Sequence, residues 1–439
     1  MLKPICSLLA ILWLAAQAPA LANTLFDERG FTLAVIPDTQ NYLDYTRQRE
    51  AGFAIDSVEL FLAQMRYIAE NSAPRGGDIA FVTSVGDVWQ HQTQDMDAAH
   101  AERGFKRISN PYLEAGLKIS DKALTFEIPR AIEGYGYLAT AGVPFGVAPG
   151  NHDYDAMWSA AGFPPNLDKE RGELTMTAAD LGVLHIGGLD NFRSAFGEAS
   201  DFFRDKAWYV ASHRGGASSA QRFDAAGYTF LHIALEMSPD DAVLAWAESV
   251  MLDYPGMPTI VTTHDYLSPR GELSAVEIVD LALVDPDYHN SAQQLWDKFL
   301  SQHDQIFLVL CGHQHGQAWR VDNNRSGHAV YQILADYQDR GQAGLDAGQP
   351  RSGFRNRPAG IGDGWFRLMR FDFSGANARV HVQTYSSHYA SYSGDMPEYP
   401  AWYRDHEQPG MSDTDFYAAD DYVLELTDFF DRFGQDDPP

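Results

Sequence analysis

Five short polar clusters carry side chains able to do chemistry: Asp38-Thr39-Gln40, Gly86-Asp87, Gly150-Asn151-His152-Asp153, His264, and Gly312-His313-Gln314-His315. Carboxylates, imidazoles and amide oxygens are the donors with which proteins hold divalent ions. Singly each cluster says little. A Gly-Asp pair after a strand is usually a turn, and a lone histidine such as His264 is more often a satisfied core residue than a ligand. Their force lies in their common setting.

Each cluster follows a short apolar run. Leu33 to Pro37 leads into Asp38, Ile79 to Val85 into Asp87, Val143 to Ala148 into Asn151, Thr259 to Thr263 into His264, and Ile306 to Leu310 into His313. These runs read as buried strands. Between the first two, Val58, Phe61, Leu62, Met65, Ile68 and Ala69 recur at helical spacing, with Asp56 and Glu59 as a capping pair. Val243, Leu244, Ala247, Val250 and Met251 mark a helix before the fourth run, and Ser291 with Gln294 caps another that carries Leu295, Trp296, Phe299 and Leu300 before the fifth. Strand and helix therefore alternate, as in an α/β fold, where ligands bind beyond the carboxyl ends of the strands. The later runs Ala329 to Leu334, Trp365 to Phe373 and Val380 to Tyr385 alternate like strands and suit a second sheet.

The set of five motifs, in this order, resembles the calcineurin-like metallophosphoesterase superfamily over roughly residues 31 to 390. The resemblance implies a four-layer α/β/β/α sandwich with a dinuclear metal site at the strand ends, the ions about 3.5 Å apart. Carried over by position, Asp38, Gln40, Asp87 and His315 hold one ion, and Asp87, Asn151, His264 and His313 hold the other. Asp87 bridges them. His152 corresponds to the histidine that contacts the phosphoryl or leaving-group oxygen, and Asp153 is the neighbour that would orient it or cap a turn.

The residue types suit that chemistry. Two divalent or trivalent ions (Mn, Fe or Zn) with only two carboxylates, Asp38 and Asp87, leave a positive core, about +2 for divalent ions, and neutral His, Asn and Gln ligands preserve it. Such a core polarises phosphoryl oxygens and generates a metal-bridging hydroxide. The implied activity is hydrolysis of a phosphodiester or small phosphomonoester. Gln40 departs from the family pattern, which has His there. An amide oxygen is a harder and weaker ligand than imidazole, so it loosens that ion or favours manganese. Gln90 stands where purple acid phosphatases have Tyr, which disfavours that subgroup. Two other functions remain open: a cell-surface or secreted binding protein with a weakened site, and a structural protein with one stabilising ion.

The rest of the chain limits the setting. At 439 residues with 45% hydrophobic and 13% aromatic content, a sizeable core is affordable. Lys3, the apolar stretch Ile5 to Ala16 and the small residues Ala20-Leu21-Ala22 have the form of a signal peptide. Residues 1–22 are therefore expected to be removed, leaving an exported, periplasmic or secreted protein with no membrane span. Cys6 goes with them, and Cys311 is then the sole thiol, so no internal disulfide can form. The formal charge of -28 argues against nucleic acid polymers and anionic membranes as partners. Residues 23–390 are read as the catalytic domain and 391–439, rich in Pro, Tyr and charge, as a surface extension with a frayed tail. Trp89, His91, Tyr154, Tyr266 and His289 are candidate substrate contacts, His91 and Tyr154 foremost, while His185, His232, His303 and His381 read as structural.

Overall fold

A computed structural model describes residues 29–175, 177–274, 278–352 and 356–434. The proposed signal peptide and the tail Gln435 to Pro439 lie outside them. The described residues are mixed α/β with three sheets. The first expected strand forms as Gly30–Ile36, and its last six residues are all buried, as they must be in a strand covered on both faces. It pairs in parallel with Ile79–Ser84, which pairs in parallel with Phe145–Val147. The helix Ser57–Glu70 connects the first two strands and packs Phe61 and Met65 toward helix Ile128–Ala141. The approach of those helices depends on Gly134, where a Cβ would stand 2.2 Å from the Phe61 ring.

A second seven-stranded sheet holds Tyr228–Ala234, Thr259–Thr262, Ile306–Cys311 and Ala329–Asp336 in parallel, with antiparallel strands at both edges. Phe31, Leu33, Val35 and Phe81 of the first sheet share one core with Phe223, Phe230, Ile260 and Phe307 of the second. The Phe81 and Phe223 rings stack at 4.4 Å. Beyond the second sheet, Val243, Ala247, Val250 and Phe299 from its helices pack on Leu231, Ile233, Val261 and Val309. The third sheet is small: Arg107–Ile108, Ala156–Ala160 and Leu184–Gly187. Ser291 and Gln294 make the expected reciprocal cap, whereas the Asp56 side chain accepts from Arg49 N instead of capping its helix.

Two expectations are corrected. Of the three later runs, only Ala329–Asp336 joins the second sheet; Trp365–Asp372 runs antiparallel beside Gly30–Ile36, and Ala378–Ser386 follows it there. Alternation predicts a strand but not its sheet, and here both faces of Trp365–Asp372 are needed, with Phe366 in the helix-side core and Met369 and Phe371 in the core between the sheets. The stretch after 390 is no mere surface extension. Its strand Asp421–Leu426 pairs with Ala378–Ser386, and Tyr399, Tyr403, Phe416 and Phe429 are buried. A buried ion network closes over it, with Arg340 on Glu407 at 2.7 Å and Arg367 on Asp420 at 2.8 Å. Among the described residues no helix is long and apolar enough to cross a membrane.

Candidate metal centre

Asp38, Asp87 and Asn151 follow strands of the first sheet, and His264 and His313 follow strands of the second. These carboxyl ends converge. His264 Nε2 lies 3.0 Å from Asn151 Oδ1, 3.2 Å from Asp87 Oδ1 and 4.0 Å from Asp38 Oδ2. Ligand atoms of Asp87, His264 and His313 all fall within 4.8 Å of one another. Gln40 Nε2 donates to Asp87 Oδ2 at 3.3 Å, and the His313 backbone N–H faces Asp38 Oδ2 at 3.2 Å.

Glycine permits this crowding. A Cβ at Gly150 would stand 2.3 Å from Asp87 Oδ1, and one at Gly312 would stand 2.2 Å from Asp38 Oδ1. Both glycines of these motifs are thus explained by close approach of a carboxylate. Asp87 (φ 50°) and His313 (φ 67°) occupy the left-handed region, a strain that structures retain chiefly where function requires it.

The site is rich in buried negative charge. Burial, reinforced by Asp336, pushes the Asp38 carboxyl well above its ordinary range. Burial also opposes ionisation of Asp87, but His264, His152 and His313 outweigh it and hold that carboxyl low. For His264, burial disfavours the charged ring, yet Asp87 and Asp38 raise it to about 10. Burial lowers His313 to about 4. Among the described residues, none of the contacts of Asp38 or Asp87 is with a lysine or arginine. Gln40 Oε1 is buried without a hydrogen-bond partner. Acidic oxygens, converging imidazole nitrogens and an unserved amide oxygen together are a donor set suited to a cation, whose positive charge would take the place of the proton on His264.

Six of the seven expected ligands meet here: Asp38, Gln40, Asp87, Asn151, His264 and His313. The seventh, His315, has its Nδ1 on Asp339 at 2.9 Å, and Asp339 also takes Arg357, a pairing that engages Nδ1 and not Nε2. Against burial, Asp339, Asp336 and Asp38 raise that ring to about 10. His152 is placed beside the cluster, with its backbone N–H on Asp87 Oδ1 at 2.8 Å and its ring Nδ1 on the Gln90 carbonyl at 2.7 Å. Asp153, expected to orient His152 or to cap a turn, makes no contact with His152 among the described residues, and its side chain caps the turn Asn151–Asp153 through the Gly150 N–H. It is fully buried, and its two oxygens accept from the backbone N–H groups of Val88 and Gly150, which ties the second motif to the third. Burial and Asp87 push its carboxyl up to about 8. A side chain adjacent to His152 points away from it, which is why the partner lies elsewhere.

Sequence reading passed over Gln338 and gave Asp336 no role. Gln338 Oε1 accepts from Gln40 at 2.7 Å, and its Nε2 donates to Asp336 at 2.9 Å and Asp38 at 3.3 Å. The one available signal was that Asp336 ends another strand of the same sheet. Of the proposed substrate contacts, His91 is buried against Glu127 at 2.7 Å, and both Glu127 oxygens are already engaged. Tyr266 is buried with its hydroxyl on Gln332, and the Trp89 ring packs near Phe192 and Phe196. Tyr154 and His289 do line a cavity of about 560 Å³, together with Arg193, Arg214 and Glu236.

No protein-family model matches the chain. It is similar to the uncharacterized protein YvnB of Bacillus subtilis (strain 168), at 22% identity over 343 residues. That match covers 74% of this chain but 21% of YvnB, so the chain spans about a fifth of that protein's length.

Proposed function

We propose that the chain is an exported, metal-dependent phosphoester hydrolase with a dinuclear centre inside a four-layer α/β/β/α sandwich. One observation carries the reading: two buried carboxylates, Asp38 and Asp87, converge with His264, His313, Asn151 and an unserved Gln40 oxygen at the strand ends of two facing sheets. Asp38, Gln40, Asp87 and His315 would hold one ion, with Asp87, Asn151, His264 and His313 on the other, and Asp339 on His315 Nδ1 would leave Nε2 for the ion. Bound there, such ions supply Lewis acidity toward phosphoryl oxygens and lower the pKa of a coordinated water. The protein's own part is positional. Val85 O accepts from His264 Nδ1 at 2.8 Å and so aims Nε2 inward. The Gln90 carbonyl accepts from His152 Nδ1 and leaves Nε2 as the atom that meets substrate, to stabilise charge or deliver a proton.

A second reading has its own support. Gln40 offers an amide oxygen where the resemblance expects imidazole, which weakens the first ion's ligand set and favours a structural protein with one stabilising ion. Metal content and turnover of bis-p-nitrophenyl phosphate and p-nitrophenyl phosphate, measured with manganese, iron, zinc and calcium, separate the two. About two ions per chain with turnover supports the hydrolase; one ion without turnover supports the alternative.

A further inference from the structure

His100, His185 and Asp285 come from three separate segments: helix Ala98–Glu102, strand Leu184–Gly187 and the end of helix Leu281–Val284. His100 Nε2 and His185 Nε2 face each other at 3.2 Å. Asp285 Oδ2 lies 4.0 Å from each. Two nitrogens on one tetrahedral ion, each at the usual zinc distance, would stand about 3.3 Å apart.

The surroundings are those of a built site. Asp97 Oδ2 lies 2.6 Å from His100 Nδ1, so the carboxylate takes the ring hydrogen there and leaves Nε2 as the bare donor, the usual partner arrangement behind a metal-bound histidine. Arg103 occupies only Asp285 Oδ1, at 2.6 Å. Asp285 Oδ2 is left buried with no hydrogen-bond partner, although Asp285 is only 5% exposed. Phe105 and Trp158 pack around both histidine rings. Gly187 is required, because a Cβ there would collide with the Asp97 carboxylate at 1.8 Å. Asp97, His100 and Arg103 also line the 560 Å³ cavity, which gives an ion a way in.

We infer that His100, His185 and Asp285 form a mononuclear site for a borderline divalent cation of the zinc class, separate from the Asp38–Asp87 centre. Two imidazoles and one carboxylate are the donor set that such an ion prefers. The site joins the small third sheet to the segment carrying Asp285 and does not depend on the hydrolase reading.

The test counts zinc by mass spectrometry in the full-length wild type, Asp285→Asn, His185→Gln and Asp97→Asn, equilibrated at the same free zinc concentration. Asp285→Asn and His185→Gln should hold one zinc fewer than wild type at a concentration that saturates it. Asp97→Asn, behind the ligand rather than on the ion, should weaken that zinc about 10- to 100-fold. Asp285→Asn preserves shape and guards against misfolding of the His185 variant, with circular dichroism as the control. The same comparison on an Asp87→Asn background should again differ by one ion, whatever the fate of the other centre. Equal zinc content in all the proteins overturns the site and leaves the contact as a His–His hydrogen bond.

Discussion

His264 Nε2 lies 3.2 Å from Asp87 Oδ1, while its Nδ1 is fixed by the carbonyl of Val85, two residues before Asp87. One segment of chain thus supplies both the carboxylate and the group that aims the imidazole at it. Asp87 also takes the His152 backbone N–H and Gln40 Nε2, so it is the point through which the motifs are connected. Asp87→Asn should therefore strip metal from both proposed positions and reduce phosphoester turnover by about 10³-fold or more, a scale comparable to losing a principal electrostatic group. Metal content and the rate on bis-p-nitrophenyl phosphate decide it; a variant with near-normal rate excludes the bridging role.

Glycine 312 offers a test that touches no ligand. An added Cβ would press on Asp38 Oδ1 at 2.2 Å, and the surrounding core leaves little room to yield. Gly312→Ala should cost about 1 to 3 kcal/mol by overpacking and should weaken metal binding by displacing Asp38. Gly162→Ala, where a Cβ meets nothing within 4 Å, is the matched control. Thermal melts with and without manganese distinguish the two effects, and equal metal-induced stabilisation in both variants would show that Asp38 is not at the ion.

His152 tests the division between holding metal and acting on substrate. Its contacts are a backbone N–H to Asp87 and a ring Nδ1 on Gln90 O, neither of which needs the ring as a ligand. His152→Ala should keep its metal and lose about 10²-fold or more in kcat. Loss of an ion would place the ring in the coordination shell instead.

Much of this arrangement was legible because strand ends are local: an apolar run ending in Asp, Asn or His fixes where the side chain emerges. Gln338 was not legible, since its partners Gln40 and Asp38 are about 300 positions away and only the strand-end Asp336 nearby hinted at a site. Asp153 takes the turn-capping role of its two expected ones, because proximity to His152 in sequence says nothing about direction. The same limit hid the burial of Tyr399, Tyr403 and Phe416, whose Pro- and Tyr-rich surroundings lack any sustained period. His100, His185 and Asp285 share no motif at all; only the fold brings them together.

Asp363 gives a pH dependence away from the metal centre. Burial raises its carboxyl from 3.8 to about 6, against the lowering effect of Tyr403 O–H and the Ala343 and Gln342 N–H groups. A folded-state pKa above the unfolded value means that the native state binds more protons between those limits. Its contribution is therefore full below about pH 4 and is lost as pH rises through 6. Asp363→Asn cannot titrate, so the stability of wild type relative to the variant should fall between pH 4 and 6 and level off above. Urea denaturation across that range checks it, and a constant difference would contradict the assignment.

Gln40 and Gln338 should act as one unit. Gln338 accepts from Gln40 Nε2 and donates to Asp38, so it can fix both the amide and the carboxylate proposed for the first ion. Gln40→Ala removes a ligand, and Asp38, Asp87 and His315 remain to hold that ion. One ion should then be stripped easily while the second stays. Gln338→Ala should weaken the same ion by about 10- to 100-fold, as loss of an orienting partner does. If the two act through the same ion, the double variant should be little worse than Gln40→Ala alone, because the shared pathway is already broken. Gln40→His should shift preference from manganese toward zinc or iron, which favour imidazole. Calorimetric metal titration of the four variants and wild type reads all of these. Tight binding of two ions by Gln40→Ala would remove Gln40 from the coordination shell, and strictly additive losses would show that Gln338 acts elsewhere.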